Sequence, residues 1–272
     1  MRHSAGSSKD GTVKFDSGIG VVPVREPLGF RYEPGVFGPQ PERRSLDAIR
    51  PSLRNPACAG PDPVYAIAMD VGREEIRTEL KQRMLLFGVV TYASGKLGEE
   101  PVRSQGHVHR VSMHSGWSPP EVYEIWDGAA AFVYMQEHAA DDPGRCYAIL
   151  ANPGDIVIVP PGWAHAAISA DPSDFMTLGA LCDREYGFEY EEIKKRKGLA
   201  WYPLVTSNGG IEWLPNPCYK ATTLDVRRPV DYSRLGIVRG RSLYEQAVED
   251  FDRFAWVSNP TLARDIWRHF EP

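Results

Sequence analysis

The sequence predicts a mainly β fold: a body of many short strands that carries an extended N-terminal arm and C-terminal helices. Three observations predict it. From Val64 to about Leu181, short runs rich in β-branched and aromatic residues alternate with Gly, Pro and Asp clusters, which is the pattern of successive strands and turns. Before that stretch, residues 1–62 are rich in Gly and Pro, and prolines from Pro23 to Pro61 interrupt any long helix. Beyond about residue 220, apolar residues recur at helical spacing.

In chain order, the arm spans 1–62, the body 63–220 and a helical extension 221–272. Within the arm, the segment Arg43–Arg50 is the exception to extended chain, because Ser45 can cap one brief helix. Strands are expected at Val64–Met69, Met84–Ala93, His107–Val111, Glu121–Asp127, Ala129–Gln136, Cys146–Leu150, Asp155–Val159, Ala164–Ser169 and Met176–Leu181. Asp127-Gly128 and the loop Asp141–Gly144 supply turns. Glu189–Lys197 reads as a short charged helix. Ser242–Phe254 places Leu243, Ala247, Phe251 and Phe254 on one helical face. A final helix is expected with Asn259 as cap and Pro260 at its first position, burying Leu262, Ile266 and Phe270. Both helices are expected to dock on the body or on a partner subunit.

At 272 residues, the chain can bury one sizeable core. A net charge of −5, from 31 basic and 36 acidic side chains, gives no field that attracts a polyanion, so nucleic acid is not an expected partner. No stretch is long and apolar enough to span a bilayer, and Met1–Asp10 lacks the apolar region of a secretory signal, so a cytoplasmic protein is expected. Cys58, Cys146, Cys182 and Cys218 are scattered without a Cys-x-x-Cys pair, and free thiols are the expected state.

Two segments carry chemistry. In Gly106-His-Val-His109 the imidazoles stand two positions apart and share a strand face, and Glu121 opens the next strand with Tyr123 and Ile125 on its own face. In Gly154–His165 a strand turns at Pro161-Gly162 and delivers a third imidazole, His165. Three imidazoles and a carboxylate suit one divalent ion, with Fe2+ favoured and Mn2+, Ni2+ or Zn2+ compatible. His114, in the Arg110–Pro120 stretch, reads as a solvated loop residue, as do His138 and His269. Glu124 points away from Glu121 and reads as an outer-surface or interface charge. Trp117, Trp126 and Trp163 can floor a sugar site, though core or loop anchoring is the commoner use of such residues.

The order and internal spacing of these two segments resemble the two motifs of the cupins, which implies a double-stranded β-helix, or jelly-roll, barrel. The resemblance extends further. Gly95–Glu100, Gly-His-x-His, Glu121–Ile125 and Pro160-Pro-Gly-Trp-Ala-His165 resemble the cupin-type glucose-6-phosphate isomerases of archaea and some bacteria. Asp62–Tyr65, Arg43–Leu46 and Asn216–Lys220 add to this, so that the likeness runs from about Val21 to Lys220. It implies metal ligation by His107, His109, Glu121 and His165, and interconversion of glucose 6-phosphate and fructose 6-phosphate. Glu121, beside its ligation, is expected to shuttle a proton in the isomerisation, with Tyr123 on the same face positioning the sugar; the residues do not choose between an enediol and a metal-assisted hydride shift. The family's phosphate contacts resemble Tyr65, Ser104, Gly106 and Tyr123 here. A second family threonine falls at Val90, with Thr91 facing the other way, and a family histidine falls at Phe188; Arg103 or Arg110 is the candidate replacement.

The leading expectation is therefore a metal-dependent aldose-ketose isomerase acting on glucose 6-phosphate or a related sugar or sugar phosphate. A mononuclear iron dioxygenase and a non-catalytic sugar-binding cupin are the alternatives. The long arm and the exposed edges of such barrels suggest a homodimer.

Overall fold

A computed structural model of the chain describes residues 15–272. The expectation for Met1–Asp10 and the first part of the arm lie outside the described residues. The arm is strand-bearing rather than merely extended. β1 (Val21–Val24) and β2 (Gly29–Tyr32) form a hairpin, while β3 (Val36–Phe37) and β4 (Glu42–Arg44) both pair with β5 (Tyr65–Arg73). Ser45 caps α1 (Leu46–Ile49) as expected, its hydroxyl accepting the Ala48 N–H.

After α2 (Arg77–Gln82) come β6 (Leu85–Tyr92), the small hairpin β7 (Lys96–Leu97) and β8 (Glu100–Pro101), and β9 (Val108–His109). β10 (Glu121–Gly128), β11 (Ala131–Gln136), β12 (Cys146–Ala151), β13 (Ile156–Val159), β14 (Ala164–Ser169) and β15 (Met176–Asp183) follow, each within a few residues of its expected bounds. They assemble into two sheets. One runs β13-β10-β15-β6-β5-β3, with β4 also on β5, and the other runs β14-β11-β12-β19, where β19 (Leu224–Arg227) lies parallel to β12. β16 (Phe188–Glu189) pairs with β9, α3 (Glu191–Lys195) follows it, and β17 (Trp201–Val205) pairs with β18 (Ile211–Pro215).

Strand periodicity sorts the apolar residues into three cores. Tyr123 and Ile125, Val157 and Val159, and Leu178 and Ala180 from the first sheet meet Ala131, Val133 and Met135, with Ile149, from the second. The alternate residues of the first sheet, such as Phe87, Val89, Val122 and Ile158, pack under the arm and the C-terminal helices. Those of the second, such as Tyr134 and Ala166, pack under Ile193 and Leu199. Both faces of the strands are thus covered, which explains why they read as nearly continuous apolar runs. The result is a fold of strands and short helices with substantial sheet content, consistent with a cupin-like domain.

The C-terminal segment departs from expectation in two ways. It begins with a strand, β19, and its last helix is broken. α4 (Leu243–Glu249) starts at a Ser242 cap, and Leu243, Ala247, Phe251 and Phe254 are all buried on the body. After α5 (Ala255–Ser258), Pro260 opens a 3-10 turn before the single turn α6 (Arg264–Trp267), and the Asn259 side chain makes no capping bond. The tighter 3-10 winding shifts the apolar face, so Leu262 is 65% exposed while Phe270 is buried. Among the described residues, no helix is long and apolar enough to cross a membrane.

Candidate metal centre

Each sheet brings a potential ligand to one point. Glu121 heads β10 in the first sheet, opposite Val159, and His165 lies on β14 in the second. His107 is joined to His165 by a pair of backbone hydrogen bonds, 3.0 and 2.9 Å, so their side chains emerge on the same side. His109, two residues on, completes the set. Ligand atoms of His107, His109, Glu121 and His165 all lie within 4.8 Å of one another.

The backbone selects which nitrogen of each ring faces inward. Nδ1 of His109 lies 2.9 Å from the Pro119 carbonyl, and Nδ1 of His165 lies 3.0 Å from the Trp163 carbonyl. A carbonyl only accepts, so each Nδ1 carries the proton and each Nε2 presents a lone pair to the centre. Ser118 donates to the His109 carbonyl, so the Arg110–Pro120 stretch braces this ligand twice. Gly106 lies in the left-handed region at φ +85°, and a Cβ there would come within 3.1 Å of Leu199, so the turn that aims His107 requires glycine.

Electrostatics agree with a cation site. Burial, with the neighbouring His165 and His109, holds His107 well below the ordinary imidazole range, so it stays neutral and able to ligate. Burial would raise the Glu121 carboxyl, but the His109 and His165 imidazoles beside it outweigh that and hold it well below the usual carboxylate range. Burial would lower His109, but Glu121 and the Pro119 carbonyl raise it above its usual value. Nε2 of His107 is buried without a hydrogen-bond partner, and Nε2 of His109 lies 3.3 Å from Glu121 Oε2, so both face the point where an ion would sit. The residues therefore fit a divalent cation, with three imidazole nitrogens and a carboxylate oxygen as ligands.

Above the centre is a narrow cavity of about 40 Å³ that reaches Tyr65, Ser104, His107, Glu121 and Tyr123. Burial and the charge of Glu121 push the Tyr123 phenol well above its usual value, so it remains a donor. Val90 and Phe188 also line this cavity, and Phe188 sits edge-on to His107 at 4.5 Å between ring centroids. Thr91 faces away, bonded to Thr177. Neither proposed cationic replacement reaches the cavity. Arg103 is buried and committed to Glu100, Ser52 and Ser104, and Arg110 lies exposed beside Glu189.

Other sequence candidates lie elsewhere. His114, His138 and His269 are exposed. Trp163 stacks on Tyr147, Trp117 lies beneath Arg264, and Trp126 packs under the C-terminal helices, so none floors the cavity. Glu124 corrects its expectation as a surface or interface charge. It lies on the outer sheet face but is only 1% exposed, accepting from the Leu243 N–H and from Trp126 Nε1. Sequence alone missed Cys182, whose thiol donates to Glu121 Oε1 at 3.0 Å; only the pairing of β15 beside β10 reveals it. All four cysteines are free.

A sheet-rich, cupin-like domain with a buried three-histidine, one-glutamate centre is the class these features define. Residues 50–217 match the family model for "Glucose-6-phosphate isomerase (GPI)". The glucose-6-phosphate isomerase of Thermococcus onnurineus is 29% identical over 212 residues, spanning 77% of this chain and 96% of that one. That of Thermococcus litoralis is 30% identical over 159 residues, 58% of this chain and 74% of that one. The chain belongs to the cupin-type glucose-6-phosphate isomerase family and is an isomerase. Among solved structures, an oxalate oxidase overlaps 47% of this chain and 55% of its own, at 12% identity and a TM-score of 0.35.

Proposed function

We propose that this isomerase interconverts an aldose phosphate and its ketose, glucose 6-phosphate and fructose 6-phosphate first among them, at one divalent metal ion held by His107, His109, Glu121 and His165. The observation that carries the reading is the convergence of those four ligand atoms in a chain of this family. Fe2+ is the favoured ion, with Mn2+, Ni2+ and Zn2+ also suited to the donor set.

The bound ion supplies positive charge that lowers the cost of negative charge on the sugar oxygens at C1 and C2. The rest is the work of side chains. Glu121, in contact with His165, His109 and Cys182, shuttles the proton that moves in the isomerisation. Tyr123, kept protonated, donates to a sugar oxygen and orients it, while Tyr65, Ser104 and the Gly106 backbone meet the far end.

The cavity is smaller than the roughly 300–1,000 Å³ usual for ligand sites, so substrate entry requires it to open. Phe188 and Tyr190 line both this cavity and an outer cleft of about 570 Å³, and their displacement joins the two. Phe188 in place then shields the imidazoles from water. A cytoplasmic homodimer is part of the proposal, and light scattering on the purified chain measures its mass.

The test is metal-reconstituted protein given fructose 6-phosphate and then a panel of sugars and sugar phosphates, followed by NMR. Appearance of the aldose, abolished by chelator and restored by metal, supports the reading. No turnover across the panel, with oxygen uptake by the Fe2+ form, favours a dioxygenase; ligand binding without either favours a sugar-binding protein.

A further inference from the structure

We infer that Arg44 and Gln105 grip the phosphate of the substrate, so that the N-terminal arm supplies the charge that this chain's cavity lacks at Val90 and Phe188. The assignment rests on the reading of the substrate as a sugar phosphate. Three residues that line the cavity have a buried side-chain nitrogen with no partner: His107 Nε2, Arg44 Nε and Gln105 Nε2. Buried polar atoms are nearly always paired, and although several arginine Nε atoms elsewhere are unpaired too, among the described residues these three orphans share one cavity. His107 belongs to the metal centre. The other two are N–H donors with no lone pair to offer a cation, and what they lack is an acceptor.

Both donors are held in place. Arg44 lies on β4 directly opposite Tyr65 of β5, its carbonyl accepts the Val64 N–H at 2.8 Å, and its Nη2 pairs with Glu42 Oε1 at 2.9 Å. Glu42 is largely exposed, so the ion pair anchors the outer part of the guanidinium and leaves Nε without a partner. Gln105 sits between two pinned residues, for the Ser104 N–H donates to Ala167 at 2.9 Å and the His107 N–H to His165 at 3.0 Å. Ser104 also lines the cavity. Among the described residues, Arg44 is the only Arg or Lys on the cavity wall, and Glu121, at the metal centre, is the only carboxylate there. An acceptor-rich dianion at the Arg44 end, with the sugar directed toward Glu121, satisfies both orphan donors, and a guanidinium suits phosphate oxygens in particular.

Calorimetric titration of inorganic phosphate into the Zn2+-loaded protein tests this without requiring turnover. Arg44→Met and Gln105→Leu are each expected to weaken phosphate binding about tenfold or more at unchanged zinc content, since each removes a hydrogen bond to a charged group. KM for fructose 6-phosphate is expected to rise in step, with kcat less affected. Should either variant fold poorly, Arg44→Lys and Gln105→Glu serve instead; the first restores part of the affinity and the second abolishes it. Phosphate that binds wild type and both variants equally, through the metal alone, overturns the assignment, as does wild-type protein that binds no phosphate. Phosphate binding that needs both residues, in a protein that isomerises nothing, upholds the assignment and counts against the isomerase reaction on the sugars tested.

Discussion

Two glutamates three residues apart on β10 are both buried, yet they take opposite charge states. Glu121 faces the inter-sheet space, where the His109 and His165 imidazoles outweigh burial and hold its carboxyl well below the usual range. Glu124 faces the C-terminal helices, where burial pushes its carboxyl up to about 8 despite N–H donors from Leu243 and Trp126. Burial is common to both, so it does not decide the outcome. What differs is whether imidazoles stand across from the group. The inner face of the strand is built to keep a charge, and the outer face uses the same residue type to clamp the first turn of α4.

The largest effect expected is at the inner face. His165→Ala removes a proposed ligand and a close partner of Glu121, and should lower kcat/KM on fructose 6-phosphate by about 10³-fold or more together with metal content. Next is the outer face. Glu124 titrates at 4.5 when unfolded and about 8 when folded, so its contribution to stability is complete below about 4.5 and is lost as pH rises through about 8. Thermal melts of wild type should therefore decline from pH 5 to 8.5, by on the order of a few kcal/mol, while Glu124→Gln melts should be flatter; equal slopes would break the comparison. Cys182→Ala deletes the thiol donor to Glu121 Oε1 and should weaken zinc binding about tenfold, with Cys182→Ser near wild type, as read by competition with a chelating dye. Smallest is Ser45→Ala, remote from both glutamates, which should cost about 1 kcal/mol in urea unfolding through its lost cap and leave metal content unchanged.

Alternation made the strands and the ligand set legible. His107 and His109 are two apart, and Glu121 and Tyr123 share a face, because strand geometry is local and the sequence records it. Which strands lie side by side is not local. Cys182 reaches Glu121 and Arg44 reaches the cavity only through the pairing of β15 with β10 and of β4 with β5, and no spacing along the chain expresses either. Glu124 was misplaced for a related reason. Its outward direction was readable, but the helix that covers it lies more than a hundred residues away, at Leu243. The final helix failed at Pro260, where a 3-10 turn took the place of regular helix and exposed Leu262.

Cobalt titration of wild type, Glu121→Gln and Glu124→Gln, followed by the visible spectrum of the ion, addresses the centre most directly. Wild type and Glu124→Gln should each take up one equivalent with a shared spectrum, and Glu121→Gln should lose affinity and change the spectrum. Identical uptake and spectra in all three would contradict a centre ligated by Glu121.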